Sequence, residues 1–365
     1  MKTKVKLKDI ASYSKGSQIN GDKLIENGMY EYLNGGINPS GKWDDYNTPG
    51  GTVTISEGGN SCGYVNFMEN PFWCGAHCYY LYDTVQNVRY LYYALKSQQD
   101  RLMKIRSGAC MPNIKKADLG EFDLFFDTDK VEQQGAVDVL QRAERIIADR
   151  QYELHVLEDL KKARFVEMFG NPDSNERYPQ IAIKYFTEVV SGGTPDRKNN
   201  EYWENGTIPW VKTTELQNNR IDIVEENITE KGLSESSAKI VPKDTVLIAM
   251  YGQGKTRGMT AILGMPASTN QACACLLPSE KVEPKYLWQY MIMSYDRLRR
   301  LAQGGNQPNL NGNMIKNFTV LVPPKEMQLQ FIRFVEQVDK SKFEVQRSLD
   351  EAQKLFDSLM QEYFS

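Results

Sequence analysis

A glycine-rich stretch in the second half of the chain carries the residue types of a nucleotide site. Residues 245–258 read TVLIAMYGQGKTRG, so an apolar run leads into Gly-x-Gly-Lys-Thr. A phosphate-binding loop needs Gly-x-x-x-x-Gly-Lys-Ser/Thr between a strand and a helix, because backbone N–H groups and the lysine hold phosphates there. Here Ala249 stands at the first glycine position, and Gly258 and Pro266 follow, which favours a turn and a strand. The pattern favours a tight glycine turn over an ATP site.

The run WCGAHC, residues 73–78, brings together two cysteines and one of the two histidines of the chain. Its spacing is Cys-x-x-x-Cys, whereas a thioredoxin-type redox site needs Cys-x-x-Cys. A metal site on Cys74, His77 and Cys78 would need a fourth ligand, and only Cys62 is near in sequence. Small residues packed in a strand fit better, so we expect no metal site. Two histidines also leave little room for a histidine-based catalytic site.

Composition predicts a folded intracellular protein. The 365 residues suffice for two or three domains, and the many aromatic residues speak against intrinsic disorder. No apolar run approaches the roughly 20 residues that span a bilayer, and no apolar block follows the basic start, so we expect no membrane segment and no signal peptide. This predicts a cytoplasmic location with reduced cysteines. A net charge of −3 does not by itself indicate nucleic-acid binding.

The chain contains an internal repeat. Three pairs of segments match: RYLYYAL from Arg89 with KYLWQYM from Lys285, LKDIASYSKGS from Leu7 with IKYFTEVVSGGT from Ile183, and TVTISEGGNSCGYV from Thr52 with TVLIAMYGQGKTRGMT from Thr245. The first copy keeps the strand and the glycine turn of the last pair but lacks the Lys-Thr dipeptide. The shared feature is therefore the turn, and ATP binding is not expected.

Each half ends in a segment with the spacing of a coiled coil. From Phe331 to Tyr363 apolar positions alternate by four and three residues, interrupted by Lys342, and a weaker pattern runs from Ala136 to Met168. A helix of this length with one apolar stripe needs a partner, so we predict that the two helices pair antiparallel. Alternatively, each helix packs on its own globular domain.

The predicted fold class is α/β (α+β), with two similar globular domains, two long helices pairing as an antiparallel coiled coil, and a pseudo-twofold internal repeat. The predicted boundaries are 1–130 and 171–325 for the globular domains, and 131–170 and 326–365 for the helices. Two similar heads on a rigid spacer suit a ligand with two features at a fixed distance. DNA read as two half-sites is such a ligand.

Three segments resemble the DNA specificity subunit of type I restriction–modification systems. SGGTPDRKNNEYWENGTIPWVKTTEL, residues 191–216, is similar to the opening of a target-recognition domain of that family. YLNGGINPSG, residues 32–41, resembles an alternative opening, and VPPKEMQLQFIRFVEQVD, residues 322–339, resembles the strand end and helix start that close such a domain. The first half lacks Gly-Thr-Pro and Tyr-Trp and reads SKGSQI instead, so we expect the two halves to read different bases.

The resemblance implies a non-catalytic subunit that reads a bipartite, asymmetric site in double-stranded DNA, one domain for each half-site. Its implied partners are two DNA methyltransferase (modification) subunits, which dock on the helices, and restriction subunits in the full complex. The assembled complex would be an adenine-specific methyltransferase and an ATP-dependent endonuclease. The chain itself would hold no cofactor, because S-adenosylmethionine, ATP and Mg²⁺ would belong to the partner subunits.

Candidate DNA contacts are polar residues in glycine-flanked loops. Asn and Gln can pair with adenine and Arg or Lys with guanine, while glycine lets the backbone approach phosphates. The candidates are Lys15, Ser17, Asn34, Gly35, Gly36, Ser56, Gly58 and Asn60 in the first half, and Thr194, Arg197, Lys198, Lys212, Thr213, Thr214, Tyr251, Gln253, Lys255, Thr256 and Arg257 in the second.

Three alternatives stay open at this point. The chain could be a scaffold that uses the same two-headed architecture for protein partners, a nucleotide binder at GQGKT, or a silent specificity subunit used by recombination. The modest net charge also predicts that the chain by itself binds DNA weakly, because it neutralises few phosphates.

Overall fold

The chain folds into two compact units, the first comprising Met1–Tyr152 with Val345–Ser365 and the second Glu153–Glu344. The structure, a computed structural model, describes residues 2–108, 112–172, 177–252, 254–302 and 309–364. Two 40-residue helices, α5 (Lys130–Phe169) and α10 (Lys325–Phe364), each contribute to both units.

The first unit contains a four-stranded antiparallel sheet and two smaller ones. Its elements before α5 are β1 (Lys2–Lys6), α1 (Leu7–Ile10), β2 (Ser12–Lys15), β3 (Tyr30–Leu33), β4 (Gly41–Trp43), β5 (Thr52–Ser56), β6 (Val65–Met68), β7 (Phe72–Cys74), β8 (Cys78–Tyr82), α2 (Val88–Ser97), α3 (Gln99–Lys104), α4 (Lys116–Gly120) and β9 (Asp123–Asp127). The strand orders are β2-β8-β5-β6, β4-β3-β7 and β1-β9, and β3 runs parallel to β7.

Helix α2 packs against the main sheet of this unit. Asn87 caps it, since its side-chain oxygen accepts hydrogen bonds from the N–H groups of Arg89 and Tyr90. Strand β5 is buried along its whole length, which fits its run of β-branched residues. The core contains Leu91 of α2 and Ile55 of β5, both fully buried.

The second unit has the corresponding elements in the same order. Those before α10 are β10 (Gln180–Ala182), β11 (Val189–Ser191), β12 (Ile208–Val211), β13 (Asn219–Ile221), β14 (Glu226–Ile228), α6 (Glu230–Ser234), β15 (Val246–Ala249), β16 (Thr260–Leu263), β17 (Ser268–Thr269), β18 (Cys273–Leu276), α7 (Pro284–Met293), α8 (Tyr295–Leu301), α9 (Gly312–Asn317) and β19 (Thr319–Leu321). The strand orders are β11-β18-β15-β16-β13, β14-β12-β17 and β10-β19.

The internal repeat is confirmed strand for strand. The order β2-β8-β5-β6 recurs as β11-β18-β15-β16, and the parallel pair β3-β7 recurs as β12-β17. The longer second copy adds β13 at the edge of its main sheet and the short helix α6, both between β12 and β15. The predicted α/β fold class with two similar domains and two long helices is therefore confirmed.

The long helices pair antiparallel within the second unit. Phe165 of α5 contacts Phe331 of α10, with ring centroids 5.5 Å apart. Lys161, earlier in α5, forms an ion pair with Asp339, later in α10. Lys342, which interrupts the apolar spacing, forms an ion pair with Glu158 of α5. Rising numbers on one helix meet falling numbers on the other, as the predicted coiled coil requires.

Each helix end also packs on a globular core, so pairing and domain packing occur together. In the second unit Phe165 and Phe169 lie against Tyr286 of α7. In the first unit Leu140 of α5 and Phe364 of α10 belong to one buried core. The alternative that each helix packs only on its own domain is wrong, because α10 contributes to both cores.

The long helices begin and end where backbone chemistry dictates. Helix α5 ends at Phe169, because Gly170 adopts φ +83°, the left-handed conformation that terminates helices. Helix α10 begins directly after Pro323-Pro324. Neither these helices nor any other described helix is long and apolar enough to cross a membrane.

We expect Phe165→Ala to lower the free energy of unfolding by about 3–5 kcal/mol, because Phe165 is fully buried among aromatic rings of α5, α7 and α10. Urea denaturation followed by circular dichroism measures the loss. The control is Phe343→Ala on α10, whose ring is 68% exposed, and it should change stability by no more than about 0.5 kcal/mol. Equal losses for both variants would contradict the packing described.

Candidate functional site

The candidate residues of the first unit lie in three loops at one end of its sheets. Lys15 ends β2 and Ser17 follows it, Asn34 to Gly36 follow β3, and Ser56, Gly58 and Asn60 end or follow β5. In the sheet Lys15 is opposite Tyr79 and Ser56 is opposite Cys78, so β2 and β5 end on either side of the start of β8. Residues far apart in sequence are thus brought to one edge.

Hydrogen bonds join these loops to the turn between β7 and β8. The N–H of Ser17 donates to the carbonyl of Cys74 (2.9 Å), and Trp73 Nε1 donates to the carbonyl of Ser17 (2.7 Å). The N–H of His77 donates to Asn34 Oδ1 (3.3 Å). The buried hydroxyl of Ser56 donates to the carbonyl of Gly35. Ser17 and Ser56 therefore position the loops.

An open depression of about 550 Å³ lies between the loops after β3 and β5. Four candidates line it: Asn34, Gly35, Gly36 and Gly58. The rest of the wall is formed by Gly59 of the same candidate loop, by His77, which the sequence offered only as a metal ligand, and by Ser40, Glu57, Ser61, Pro112 and Asn113. The lining includes amide, hydroxyl and carboxylate groups, so it can offer hydrogen bonds to a polar ligand.

Glu57 is the acidic group of this depression. Its side chain is only 13% exposed, and Lys15 forms an ion pair with one carboxylate oxygen. The Nδ1 atom of His77 lies 3.4 Å from the other oxygen. Burial, followed by the negative charge of Glu57, raises the pKa of the neighbouring Tyr79 hydroxyl to about 12, so that hydroxyl stays protonated and donates to the carbonyl of Ile114 (3.0 Å).

The second unit places its candidates in the equivalent three loops. Thr194, Arg197 and Lys198 follow β11; Lys212, Thr213 and Thr214 follow β12; and Tyr251, Lys255, Thr256 and Arg257 follow β15, while Gln253 lies outside the described residues. The turn before β18 again joins them. Thr194 donates a hydrogen bond to Gln271, Asn270 N–H donates to Val211 (3.0 Å), and Met250 N–H donates to Ala272 (2.8 Å).

Arg197 and Lys212 are engaged in a network inside the unit. Both form ion pairs with Glu226 on β14, and Lys212 Nζ also lies 2.6 Å from a carboxylate oxygen of Glu225. The hydrogen bond from Arg197 holds the pKa of Glu226 below its usual range, and the hydrogen bonds to Glu225 and Glu226 raise the pKa of Lys212. These two cations therefore reinforce the loops after β11 and β12.

The motif of residues 191–216 is built around two tryptophans. The guanidinium of Arg197 lies 3.8 Å from the ring centre of Trp203, and the indoles of Trp203 and Trp210 meet edge to face at 5.0 Å. Trp210 is buried, and its Nε1 donates to the carbonyl of Gly193 (2.9 Å). A Cβ atom on Gly193 would lie 2.4 Å from the backbone nitrogen of Ala238. The motif therefore packs this corner of the domain.

The described residues of GQGKT, Gly252 and Gly254 to Thr256, lie between β15 and β16, as their counterparts in the first copy lie between β5 and β6. Strand β16 follows at Thr260, where a phosphate-binding loop would enter a helix. Two side chains of α8 hold the turn: Tyr295 hydroxyl donates to the carbonyl of Lys255 (2.7 Å), and Arg299 donates to the carbonyl of Gly254 (2.9 Å). The nucleotide-site hypothesis is therefore wrong.

Among the candidate cations of the second unit, Arg197, Lys198 and Lys255 are exposed, and Arg197 is the one already paired with Glu226. Lys255 is exposed at the tip, and the carbonyl of Arg257 accepts a hydrogen bond from Arg299 (3.1 Å). The turn after β15 and helix α8, which is bonded to it, thus carry three cationic side chains, those of Lys255, Arg257 and Arg299. This arrangement suits phosphate groups or the acceptor edge of guanine.

Cys74 and Cys78 are buried at the end of β7 and the start of β8 and belong to a core with Leu33 and Phe72. Hydrogen bonding to the Cys78 thiol, together with burial, raises the pKa of the Cys74 thiol. Within the described ranges no group of three His, Cys, Asp or Glu side chains is placed to hold a metal ion.

Sequence reasoning missed the turn that precedes β8 and β18, which contributes His77 in one unit and Gln271 in the other. It also missed Glu57 and Asn113, which lies in the connection between α3 and α4. The repeat alignment contained a usable signal, because β8 and β18 pair with the strands whose loops were selected. Neighbouring strands share an edge, so their preceding turn belongs to the same site.

Comparison with known proteins identifies relatives that are named as specificity subunits of type I restriction enzymes. Residues 2–155 and 176–352 match the family model of the type I restriction modification DNA specificity domain. The specificity subunit of the type I restriction enzyme MjaIX from Methanocaldococcus jannaschii is 34% identical over 152 residues, which are 40% of this chain and 34% of that protein. The specificity subunit of EcoR124I/EcoR124II from Escherichia coli is 26% identical over 151 residues, 40% of this chain and 37% of that protein.

Each of these sequence matches therefore spans little more than a third of the relative's length. The fold is shared over the whole chain with the S subunit of a type I restriction–modification system from M. genitalium. That crystal structure has a TM-score of 0.66 and 21% identity, over 100% of this chain and 96% of the other.

We expect Gly35→Ala to destabilise the first unit by about 2 kcal/mol or more. Gly35 has φ +85°, and an added Cβ atom would lie 2.1 Å from the carbonyl oxygen of His77, so both backbone strain and a clash arise. Gly21→Ala is the control, because an added Cβ atom there meets no heavy atom within 4 Å. Thermal unfolding of both variants tests this, and an unchanged midpoint for Gly35→Ala would contradict it.

Proposed function

This chain belongs to the family of type I restriction modification DNA specificity domains, and on that premise we propose that it reads a bipartite, asymmetric site in double-stranded DNA. The observation that carries the proposal is the repeated fold with unlike loops. Each unit gathers three polar loops at one end of its sheets, and the side chains in those loops differ between the units. Each unit then reads one half-site, and the two half-sites have different sequences.

The loops supply two kinds of contact that DNA recognition needs. Backbone N–H groups and exposed cations such as Lys198 and Lys255 bind phosphates and position the chain, while side chains at base edges discriminate. The first unit offers amides and a carboxylate, which match adenine and the amino group of cytosine. The second unit offers lysine and arginine at the turn after β15, which match guanine.

The long helices serve as the spacer and as the docking surface for partner proteins in this proposal. Helix α5 exposes Tyr152 (70%) and Val156, and α10 exposes Phe343 (68%) and Leu355. Exposed apolar side chains on acidic helices favour contact with protein over contact with phosphate. The proposed partners are two DNA methyltransferase subunits, with restriction subunits in the full complex.

The chemistry of the complex would reside in those partners. We propose that S-adenosylmethionine, ATP and Mg²⁺ bind the methyltransferase and restriction subunits, and that this chain contributes recognition without catalysis. Adenine methylation and ATP-dependent cleavage in the cytoplasm would follow from the assembly. A scaffold for protein partners is the competing function, since the same exposed helix residues would serve it.

The deciding measurement is a genome-wide map of methylated adenine with and without the gene. We expect one motif, two short half-sites around a fixed gap, to lose methylation on deletion, because no other subunit would supply its recognition. Exchange of residues 1–130 with those of a relative should then change only one half-site. Unchanged methylation in the deletion strain would favour a silent specificity subunit or a scaffold.

We also expect Lys255→Ala to weaken DNA binding by the complex of this chain with its methyltransferase subunits. Removal of one phosphate contact should reduce the slope of log K against log salt by about 1, whereas Lys255 reading a guanine would show a loss confined to one base pair. Lys243→Ala is the control, because Lys243 is exposed and precedes β15, whereas Lys255 follows it. Titration of labelled duplex at several salt concentrations measures both, and a result equal to the control would contradict a DNA contact at Lys255.

A further inference from the structure

We propose that Glu57 is a base-reading residue, which accepts a hydrogen bond from the exocyclic amino group of a cytosine or adenine in the half-site of the first unit. The inference rests on the proposed DNA-reading function and assigns one contact within it. A carboxylate is the acceptor that fits such an amino group in the major groove. Nothing in the pattern of the sequence distinguishes Glu57 from an ordinary loop glutamate, so the structure carries the assignment.

The backbone of Glu57 is fixed on both sides. Its N–H donates to the carbonyl of His77 (2.9 Å), and its carbonyl accepts from the N–H of Ile114 (2.8 Å). The side chain is 13% exposed and lines the depression with Asn34 and Asn113. A base-reading group must be held in place before it binds, because an immobilised side chain loses little entropy on contact. Glu57 meets that requirement.

Two neighbours make a carboxylate compatible with DNA at this place. Lys15 forms an ion pair with Glu57, and His77 Nδ1 lies 3.4 Å from its second oxygen. The cation of Lys15 offsets the repulsion that an isolated carboxylate would exert on phosphates. An ionised carboxylate has about four lone-pair sites, so these two contacts leave acceptor capacity free.

The second unit lacks this group of three residues. Strand register gives the correspondence. Lys15 pairs with the second residue of β8, as Ser191 pairs with the second residue of β18. Ser56 and Ala249 pair with the first residues of β8 and β18, so Glu57 corresponds to Met250, and His77 and Ala272 each directly precede the strand. The equivalents of Lys15, Glu57 and His77 are then Ser191, Met250 and Ala272. The same fold accepts a methionine where Glu57 stands, so the charged group is not needed to build the loop. A role in recognition accounts for it.

The test is a double-mutant cycle between the protein and the DNA. The complex with its methyltransferase subunits, wild type or Glu57→Met, is titrated with duplexes in which one amino-bearing base of the first half-site is replaced by its analogue without the amino group. At one position the wild type should lose about tenfold or more in affinity. The Glu57→Met complex should bind the natural duplex with an affinity lower by a similar factor, and it should bind the analogue duplex no more weakly than the natural one.

Controls separate this inference from the proposed function. Glu31→Met, at an exposed position of β3, should behave as the wild type, and Glu57→Gln, which keeps one acceptor oxygen, should show a smaller loss at the same position. If the wild-type complex shows no bipartite specificity, the proposed function fails. If the complex is specific but the affinity losses caused by Glu57→Met and by each base analogue simply add in free energy, the assignment of Glu57 is overturned.

Discussion

The hydrophobic core of each unit includes residues of the two long helices, and the rest of the architecture depends on this. The core of the first unit takes Phe364 from the end of α10, which lies against Tyr90 of α2 with ring centroids 5.0 Å apart. The core of the second takes Phe165 from α5, a helix that begins in the first half. Burial of these rings is worth several kcal/mol each, so the folding of each unit requires the long helices to be in place.

The seam between the helices is not purely apolar, and its polar residues have a structural reason. Lys161 and Lys342 occupy the seam of the second unit, where each forms an ion pair with an acidic residue of the facing helix, Asp339 and Glu158 respectively. An apolar seam tolerates a shift of register by one heptad, whereas a shifted seam would leave these charges half-buried and unpaired. The ion pairs thus select one antiparallel register, which fixes the segment of each helix that reaches each core.

Much of this fold was predictable because it repeats and because its periodicities are local. Matching segments revealed the two copies, and the 4-3 spacing revealed the helices. Glycine punctuation identified the turn of GQGKT correctly. The contacts that define the site were not predictable in this way. The sequence predicts Arg197 and Lys212 as DNA contacts, yet Glu226 pairs with both, and Glu57 pairs with Lys15 across 42 residues of sequence. Such pairs depend on strand register, which single residues do not encode.

The pairing of cations within the loops has a consequence for affinity. Lys15, Arg197 and Lys212 are positive residues of the candidate loops, and each already has a carboxylate partner. A cation that is neutralised within the protein releases few counterions from DNA, so it adds little to the salt-dependent part of binding. What these ion pairs contribute instead is rigidity at the sheet edge. Discrimination between base edges depends on such rigidity, whereas non-specific affinity does not. In the proposed function the chain would therefore supply base recognition, and most of the affinity for DNA would come from the proposed methyltransferase subunits.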